Sequence, residues 1–241
     1  MTTLTGMRSL AILGLALMAP QASFAQQAPT RITWAPSYSG SCTDCALAGR
    51  NLSGWNLSNA NYPGADLTSA TLRGVQAHNT NFDGALARTA NLRYADFTGA
   101  SFADATMIGA DLQYAQFNNA KLQNADLSGA LLHYGKFIGA ILTETRLQAG
   151  RANEADFSAA NMTGAKLMSA DLTGSIFENT ILVDANLSEA NVTNVSFRNA
   201  RLAGANLDGT IGIETADFEG ACATAETRLP ISLELADCAP F

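Results

Sequence analysis

A large apolar residue, most often Leu or Phe, recurs at nearly every fifth position between residues 42 and 207. A small residue, usually Ala, stands two positions before it. A period of five fits neither an α-helix, with about 3.6 residues per turn, nor an extended strand, which repeats every two residues. Repetition at a fixed interval over such a length is typical of repeat architectures. We therefore expect the chain to turn a corner every five residues, with the large and the small residue both pointing inward.

A second, longer period predicts how many corners make one coil. Aromatic residues recur at intervals of twenty in two inward rows. The rows are Phe97, Phe117, Phe137, Phe157, Phe177 and Phe197, and Tyr62, Phe82 and Phe102. Twenty residues are four repeats, so like residues stack if each coil has four sides. About thirty-four repeats then give roughly eight coils, spaced about 4.8 Å apart in a rod ~40 Å long.

Many repeats fit the motif A(D/N)LXX. Close matches are Ala65-Asp66-Leu67, Ala90-Asn91-Leu92, Ala95-Asp96-Phe97, Ala125-Asp126-Leu127, Ala170-Asp171-Leu172, Ala185-Asn186-Leu187 and Ala205-Asn206-Leu207. On these residues the chain resembles the pentapeptide-repeat family, over about 70% of its length. The resemblance implies an all-β fold, a right-handed quadrilateral β-helix solenoid. The handedness is supplied by the family alone.

The N-terminus has the features of a secretory signal peptide. Arg8 is followed by a short apolar run at residues 10–18, well below the roughly 18 residues that span a bilayer. Small residues at Ser23 and Ala25 fit the preference of a signal peptidase. We expect cleavage after Ala25 and a periplasmic or secreted product, with an uncleaved membrane anchor as the alternative.

Four segments follow from these patterns. They are a signal peptide at residues 1–25, an N-terminal capping segment at 26–40, the pentapeptide-repeat β-helix at 41–221 and a C-terminal capping tail at 222–241. Caps are expected because the end of a solenoid exposes apolar side chains and unpaired backbone groups.

Local departures from the register mark both ends of the repeats. Ile32 and Trp34 lie outside the register, and we expect them to cover the N-terminal end. Trp55 stands where an Ala is usual, so we expect irregular N-terminal coils. After Leu207 the register slips by one residue, which makes Phe218 a central residue.

The four cysteines fall into two pairs. Cys42 and Cys45 open the repeats, whereas Cys222 and Cys238 lie in the tail, and an exported protein favours disulfides. Four cysteines allow three connectivities. The pairs lie ~40 Å apart in the rod, whereas bridged Cα atoms lie within about 7 Å of each other, which leaves Cys42–Cys45 and Cys222–Cys238. Thiol exchange or zinc binding at the Cys-Thr-Asp-Cys sequence are the alternatives.

The charge is mildly acidic, with 14 Lys and Arg against 21 Asp and Glu and a formal net charge of −7. Signal cleavage removes only Arg8 and leaves thirteen basic residues against twenty-one acidic ones, a net charge of −8. The sequence contains no polybasic stretch of the kind that binds nucleic acid or anionic lipid. We therefore expect no nucleic-acid partner and no membrane insertion after cleavage.

No arrangement of residues in the sequence indicates catalysis. His78 and His133 fall on different predicted sides, several coils apart. Most carboxylates of the repeats occupy the motif position before the central residue, where Asp and Asn stabilise turns. The sequence has no glycine-rich phosphate loop, no GxSxG and no metal-ligand spacing. We expect a protein that is not an enzyme and needs no cofactor or metal.

The most suggestive outward feature is a row of tyrosines. Tyr94, Tyr114 and Tyr134 stand twenty residues apart, and Arg73 and Arg93 stand on the same predicted face. Tyr and Arg are enriched at binding hot spots. The row is either a docking surface or a stack that only stabilises the coils.

These features favour an exported, non-enzymatic scaffold with a protein partner in the cell envelope. An open solenoid end could also join two copies in a homodimer. The family resemblance implies an alternative, because some members look like B-form DNA in width and charge, bind DNA gyrase and confer fluoroquinolone resistance. Two features disagree with it: gyrase is cytoplasmic, and the acidic residues here are interspersed with basic ones.

Overall fold

The computed structural model describes residues 40–230 and 233–239. The predicted signal peptide at 1–25, its cleavage site and residues 26–39 of the predicted cap, with Ile32 and Trp34, lie outside the described residues. Within the described part, no helix has the length and apolar character needed to cross a bilayer.

Short parallel bridges connect each coil to the next along the whole solenoid. From Ser41↔Asn61 to Asn191↔Ile211, each bridge joins residues twenty positions apart. The central N–H of one repeat donates to a C=O of the following coil, as Leu112 N does to Leu131 O at 2.7 Å. Four repeats therefore separate paired residues, and the all-β solenoid predicted from the sequence period is confirmed.

A tight turn closes every repeat. The N–H of the small residue donates to the central C=O three residues earlier, as Ala115 N does to Leu112 O at 3.0 Å. The residue before the small one has a positive φ in every repeat from Asp44 to Gly209. Positive φ at the third residue of a β-turn is the mark of a type II turn, which explains why Gly, Asn and Asp hold most of these positions.

The Asp and Asn residues before the central position fix the start of that turn. Thr98 N donates to Asp96 Oδ1 at 3.0 Å, and the Thr98 hydroxyl donates to the same oxygen at 2.6 Å. Asp66, Asp96, Asp111, Asp126, Asp156 and Asp171 all accept the equivalent backbone hydrogen bond. The structural role expected for these carboxylates is therefore confirmed.

The central and small residues together form the core. Rings of the Phe97–Phe197 row stack with centroids 4.9–5.4 Å apart, which matches the spacing of the coils. Ala at the small position leaves room for these rings. Thr80, Thr145 and Thr180 take the same position, and each buried hydroxyl donates at 2.8 Å to a backbone carbonyl of the preceding coil.

The predicted slip of register occurs after residue 211. A 3-10 helix at Ile213–Thr215 takes up one extra residue, so that Ser196 pairs with Asp217, twenty-one positions on. Phe218 then stacks on Phe197 at 4.9 Å and extends the phenylalanine row by one coil.

The coil-to-coil pairing runs past the expected boundary at residue 221. Cys222 bridges Arg201, and Arg228 bridges Asn206, so the last coil contains the start of the predicted tail. Strand β1 (Cys222–Ala223) also pairs in parallel with strand β2 (Ala236–Asp237), which covers this edge. A homodimer through the C-terminal end stays a prediction, and it would have to form beside or in place of β2.

The expectation of irregular N-terminal coils is wrong for the backbone at Trp55. Trp55 N donates to Leu52 O at 3.1 Å, and Asn56 bridges Gln76, as at the equivalent positions of the repeats that follow. The half-buried indole belongs to the first described coil, where it lines an apolar cavity together with Leu57. At the end of a solenoid a large side chain can turn aside without moving the backbone.

Phe137→Ala tests the core. Phe137 is fully buried and stacks on a ring on each side, at 5.1 and 5.0 Å. Its removal is expected to lower the free energy of unfolding by about 3–5 kcal/mol in urea titrations followed by circular dichroism. Phe218→Ala, at the partly exposed end of the same row, is the control and should cost less. Equal losses would contradict a core built from stacked coils.

Asp96→Asn tests the turn carboxylates. Burial raises the pKa of the Asp96 carboxyl, but hydrogen bonds from Thr98 and the contact with His78 outweigh it, so the pKa lies below its usual value. The stabilisation is therefore present above the unfolded pKa of about 3.9 and is lost as pH falls through the folded pKa. Asn161 accepts the same two bonds from Thr163, which shows that the amide fits.

The wild type should consequently lose more stability between pH 7 and pH 3 than Asp96→Asn does. Urea midpoints at the two pH values measure this difference. Parallel losses would show that Asp96 does not contribute to the acid sensitivity of the fold.

Candidate functional site

Three exposed tyrosines form a continuous stack along one corner of the solenoid. Tyr94 and Tyr114 lie with ring centroids 4.9 Å apart and 4° between their planes, and Tyr114 and Tyr134 lie 5.0 Å apart at 11°. Their exposed fractions are 45%, 40% and 51%. Because the three rings are contiguous, they form an exposed aromatic patch, which is more informative than apolar residues exposed singly.

Two arginines pack on this stack. The Arg73 Cζ lies 4.6 Å from the centroid of Tyr94, and the Arg93 Cζ lies 5.4 Å from Tyr94 and 5.8 Å from Tyr114. These distances are in the range of cation–π interactions. The structure thus brings together all five residues singled out in the sequence, and we call them the tyrosine–arginine face.

Asp111 belongs beside this face, and the sequence analysis missed it. Its Oδ2 lies 3.3 Å from Arg93 Nη1. The His78–Asp96 contact, at 2.9 Å, has the same spacing of eighteen residues. A residue just after one centre thus meets the residue just before a centre in the next coil, and this offset is the signal that would have found Asp111.

The charge of the face comes from the arginines. A hydrogen bond with the Tyr94 hydroxyl, with Asp111 adding to it, raises the pKa of Arg93 above its usual value. Burial, and after it the Arg151 guanidinium, lowers the pKa of His133 below its usual value. His133 is therefore neutral at pH 7, although it occupies the same row as Arg73 and Arg93.

The backbone at the three tyrosines favours other residue types. Their φ angles are 59°, 61° and 59°, in the left-handed region. The same corner position in the other coils holds Gly54, Gly74, Gly174 and Asn194, which adopt this conformation readily, and Glu154. The tyrosines are the only aromatic residues at positive φ among the described repeats. Turn formation therefore does not account for them.

Stacking does not clearly account for them either. A left-handed conformation costs an L-residue roughly 1–2 kcal/mol. An aromatic pair contributes about 0.5–1.5 kcal/mol beyond burial, and an exposed cation–π contact about 0.5–1 kcal/mol. These terms are of similar size, so the row is close to neutral for stability.

The cysteines lie in two pairs at opposite ends of the solenoid. The Cys42 and Cys45 Cα atoms are 5.7 Å apart, and those of Cys222 and Cys238 are 4.8 Å apart, with the sulfurs of each pair joined. Both separations lie in the range of disulfides. The second pair holds β2 against the last coil. In the part of the chain that the structure describes, no three His, Cys, Asp or Glu side chains group as metal ligands.

The regular turn every five residues and the coil spacing of twenty define a solenoid protein of the five-residue-repeat class. A family model described as Pentapeptide repeats matches the chain in eight copies, over residues 51–86, 89–124, 110–148, 140–179 and 180–211. The chain therefore belongs to the pentapeptide-repeat family.

Solved structures of the same family resemble the chain. A trypsin-treated variant of QnrB1, a plasmid-mediated fluoroquinolone resistance protein, is 17% identical over 76% of this chain and 91% of its own, with a TM-score of 0.50. HetL, a pentapeptide repeat protein involved in heterocyst differentiation regulation from the cyanobacterium Nostoc sp. strain PCC 7120, is 25% identical over 78% and 86%, with a TM-score of 0.43. The likeness to QnrB1 concerns the fold alone. No curated protein matches the chain significantly.

Tyr134→Asn distinguishes a binding role from a structural one. Tyr134 ends the row and has one stacking partner, while Asn suits its left-handed backbone, as at Asn124. The lost stacking and the relieved strain should offset each other, so the free energy of unfolding should change by less than about 1 kcal/mol. A loss above about 2 kcal/mol in urea titrations would instead mean that the row holds the coils together.

Proposed function

We propose that the protein is an exported, non-enzymatic scaffold that docks a protein partner of the cell envelope on its tyrosine–arginine face. The observation that carries this proposal is the row of three half-exposed tyrosines at backbone positions that favour Gly and Asn. Exposed Tyr and Arg side chains with little conformational freedom are typical of binding hot spots.

The solenoid suits such a role because it is stiff and regular. We take it to be right-handed and four-sided, with about eight coils at the usual strand spacing. The twenty-residue spacing of the bridges supports four sides. Each inner coil is hydrogen-bonded to both neighbours, so the side chains of one corner keep fixed positions relative to one another. A partner would meet a preorganised surface and lose little binding energy to its ordering.

Export rests on the sequence of the N-terminus and on the cysteines. The predicted signal peptide ends at Ala25, and the product would be periplasmic or secreted. Both cysteine pairs lie at disulfide distance, which suits an oxidising compartment.

The absence of enzymatic activity is likewise part of the proposal. Members of this family are typically structural or interaction proteins. The tyrosine–arginine face is a row of side chains on an outer corner. The apolar cavity lined by Leu47, Leu52 and Trp55 lies elsewhere, at the N-terminal end of the described solenoid. A convex corner suits docking better than the enclosed sites in which enzymes surround a substrate.

Gyrase binding by DNA mimicry is the alternative. The spacing of the carboxylates along the solenoid disfavours it, because it is much wider than the spacing of phosphates in DNA. One acidic corner row has Asp104, Glu144 and Asp184 separated by Asn124 and Gly164. Its carboxylates thus lie two coils, or about 10 Å, apart. B-form DNA carries one charge per about 1.7 Å of its axis. Inhibition of gyrase supercoiling by stoichiometric amounts of the purified protein would reverse the order of the two candidates.

The proposal is tested by locating the protein and cross-linking it in the cell. The full chain with a C-terminal tag is expressed in a Gram-negative host, with p-benzoylphenylalanine at position 114 or, as the control, at position 124. Tyr114 and Asn124 share the same turn position and a positive φ, half a coil apart. We expect a periplasmic product that begins at Gln26, with a mass lower by four hydrogens because of its two disulfides.

Irradiation should then give a defined protein adduct from position 114 and none from position 124. Adducts of equal yield at both positions, or none at either, would contradict docking on the tyrosine–arginine face. A full-length cytoplasmic product with four free thiols would contradict export.

A further inference from the structure

We infer that the partner presents a carboxylate to Arg73, within an acidic segment that also carries an aromatic or apolar side chain for the tyrosine row. This inference rests on the proposed function and adds the chemistry of the partner. It starts from a difference between the two arginines of the face.

Arg93 has a carboxylate partner and Arg73 has none among the described residues. Asp111 lies 3.3 Å from Arg93 Nη1. The ion pairs in the described part of the chain do not include Arg73, whose side chain is exposed and contacts the ring of Tyr94. Arg73 thus brings a positive charge to the end of the tyrosine row, and nothing described in the fold neutralises it.

The two carboxylates that flank the face are already engaged. Asp111 accepts from Arg93 and from Gln113 N. Asp96, on the other side of the corner, contacts His78 and accepts twice from Thr98. A carboxylate that pairs with Arg73 would therefore belong to another molecule.

The position of Arg73 suits a carboxylate ligand. One side of its guanidinium faces the Tyr94 ring, with 4.6 Å between Cζ and the centroid. The hydrogen-bond donors lie in the plane of a guanidinium, so a ring on one side leaves donors at the edge available for a bidentate carboxylate. Contact with the ring also restricts the side chain in advance, which lowers the entropy lost on binding.

The occupant is a protein segment rather than a polyanion. The chain has a formal net charge of −7, which repels nucleic acid and anionic membranes at long range. One or two carboxylates can still bind locally, because charge repulsion between exposed groups is screened beyond about 8–10 Å at physiological salt. Next to Arg73, the rings of Tyr94, Tyr114 and Tyr134 offer aromatic edges and hydroxyl groups to neighbouring side chains of the segment.

Synthetic copolymers supply defined probes for this chemistry. The full chain is immobilised, and binding of a Glu–Tyr copolymer, a Lys–Tyr copolymer and poly-Glu is measured by interferometry at 0.1 M salt. The variants are Arg73→Glu, Tyr114→Asn and, as the control, Arg88→Glu. Arg88 is also exposed and absent from the ion pairs of the described chain, and it lies on another corner, so it matches Arg73 in charge change and exposure.

We expect the Glu–Tyr copolymer to bind more tightly than poly-Glu, and the Lys–Tyr copolymer to bind weakly or not at all. Arg73→Glu should weaken the binding of the Glu–Tyr copolymer by about tenfold or more, because one charge-assisted bidentate pair is lost. Arg88→Glu should weaken the same binding by less than about threefold, because screened surface charges contribute little. Tyr114→Asn should reduce the preference for Glu–Tyr over poly-Glu.

Three results would overturn the inference: no binding of the Glu–Tyr copolymer, preferred binding of the Lys–Tyr copolymer, or equal losses for Arg73→Glu and Arg88→Glu. Circular dichroism of each variant verifies that the fold is intact. None of these results affects the adduct at position 114, so failure of the acidic-partner inference is distinguishable from failure of the docking proposal.

Discussion

The backbone hydrogen bonds between successive coils are the constraint on which the rest of the structure depends. Up to Val192, each central N–H donates to a carbonyl nineteen residues further on, as from Leu112 to Leu131, and the pairing continues from coil to coil past the slip of register. It requires a corner every five residues, and each corner requires a positive φ. The inward Ala and the outward Asp or Asn are then the residue types that fit beside such a corner. The backbone geometry of the coil therefore determines the residue types of the five-residue motif.

The surface is organised by the same constraint. Residues twenty positions apart lie one above the other, so any outward residue type that recurs at this interval becomes a continuous row. The phenylalanine rows fill the core in this way, and the tyrosine row forms the exposed face. All corner residues share a backbone conformation that favours Gly or Asn, and the tyrosines are the only aromatic residues that adopt it in the described repeats. This conflict between local preference and observed residue is the basis of the binding proposal.

Most of the fold and part of the candidate site could be predicted from the sequence. The five-residue repeat and the stacking of residues twenty positions apart could be predicted from residue type and position alone. The same reasoning grouped Arg73 and Arg93 with the tyrosines. The Arg93–Asp111 contact could not be predicted from rows of like residues, because it joins different positions in adjacent coils. Strand β1 pairs on both sides, with the preceding coil and with β2, so the last coil and the tail share one strand, which the repeat pattern alone does not reveal.

The twenty-residue coil also limits how the length of such a protein can change. A duplication of twenty residues adds one coil and leaves every outward row aligned, so the tyrosine row could gain a fourth ring without altering the turns. A duplication of five residues keeps the hydrophobic interior but rotates everything beyond it by one side. Placed between Tyr114 and Tyr134, it would move the third tyrosine to a different corner while the core remained intact. The interior is thus compatible with any whole number of repeats, whereas the outward rows stay aligned only when repeats are added in multiples of four.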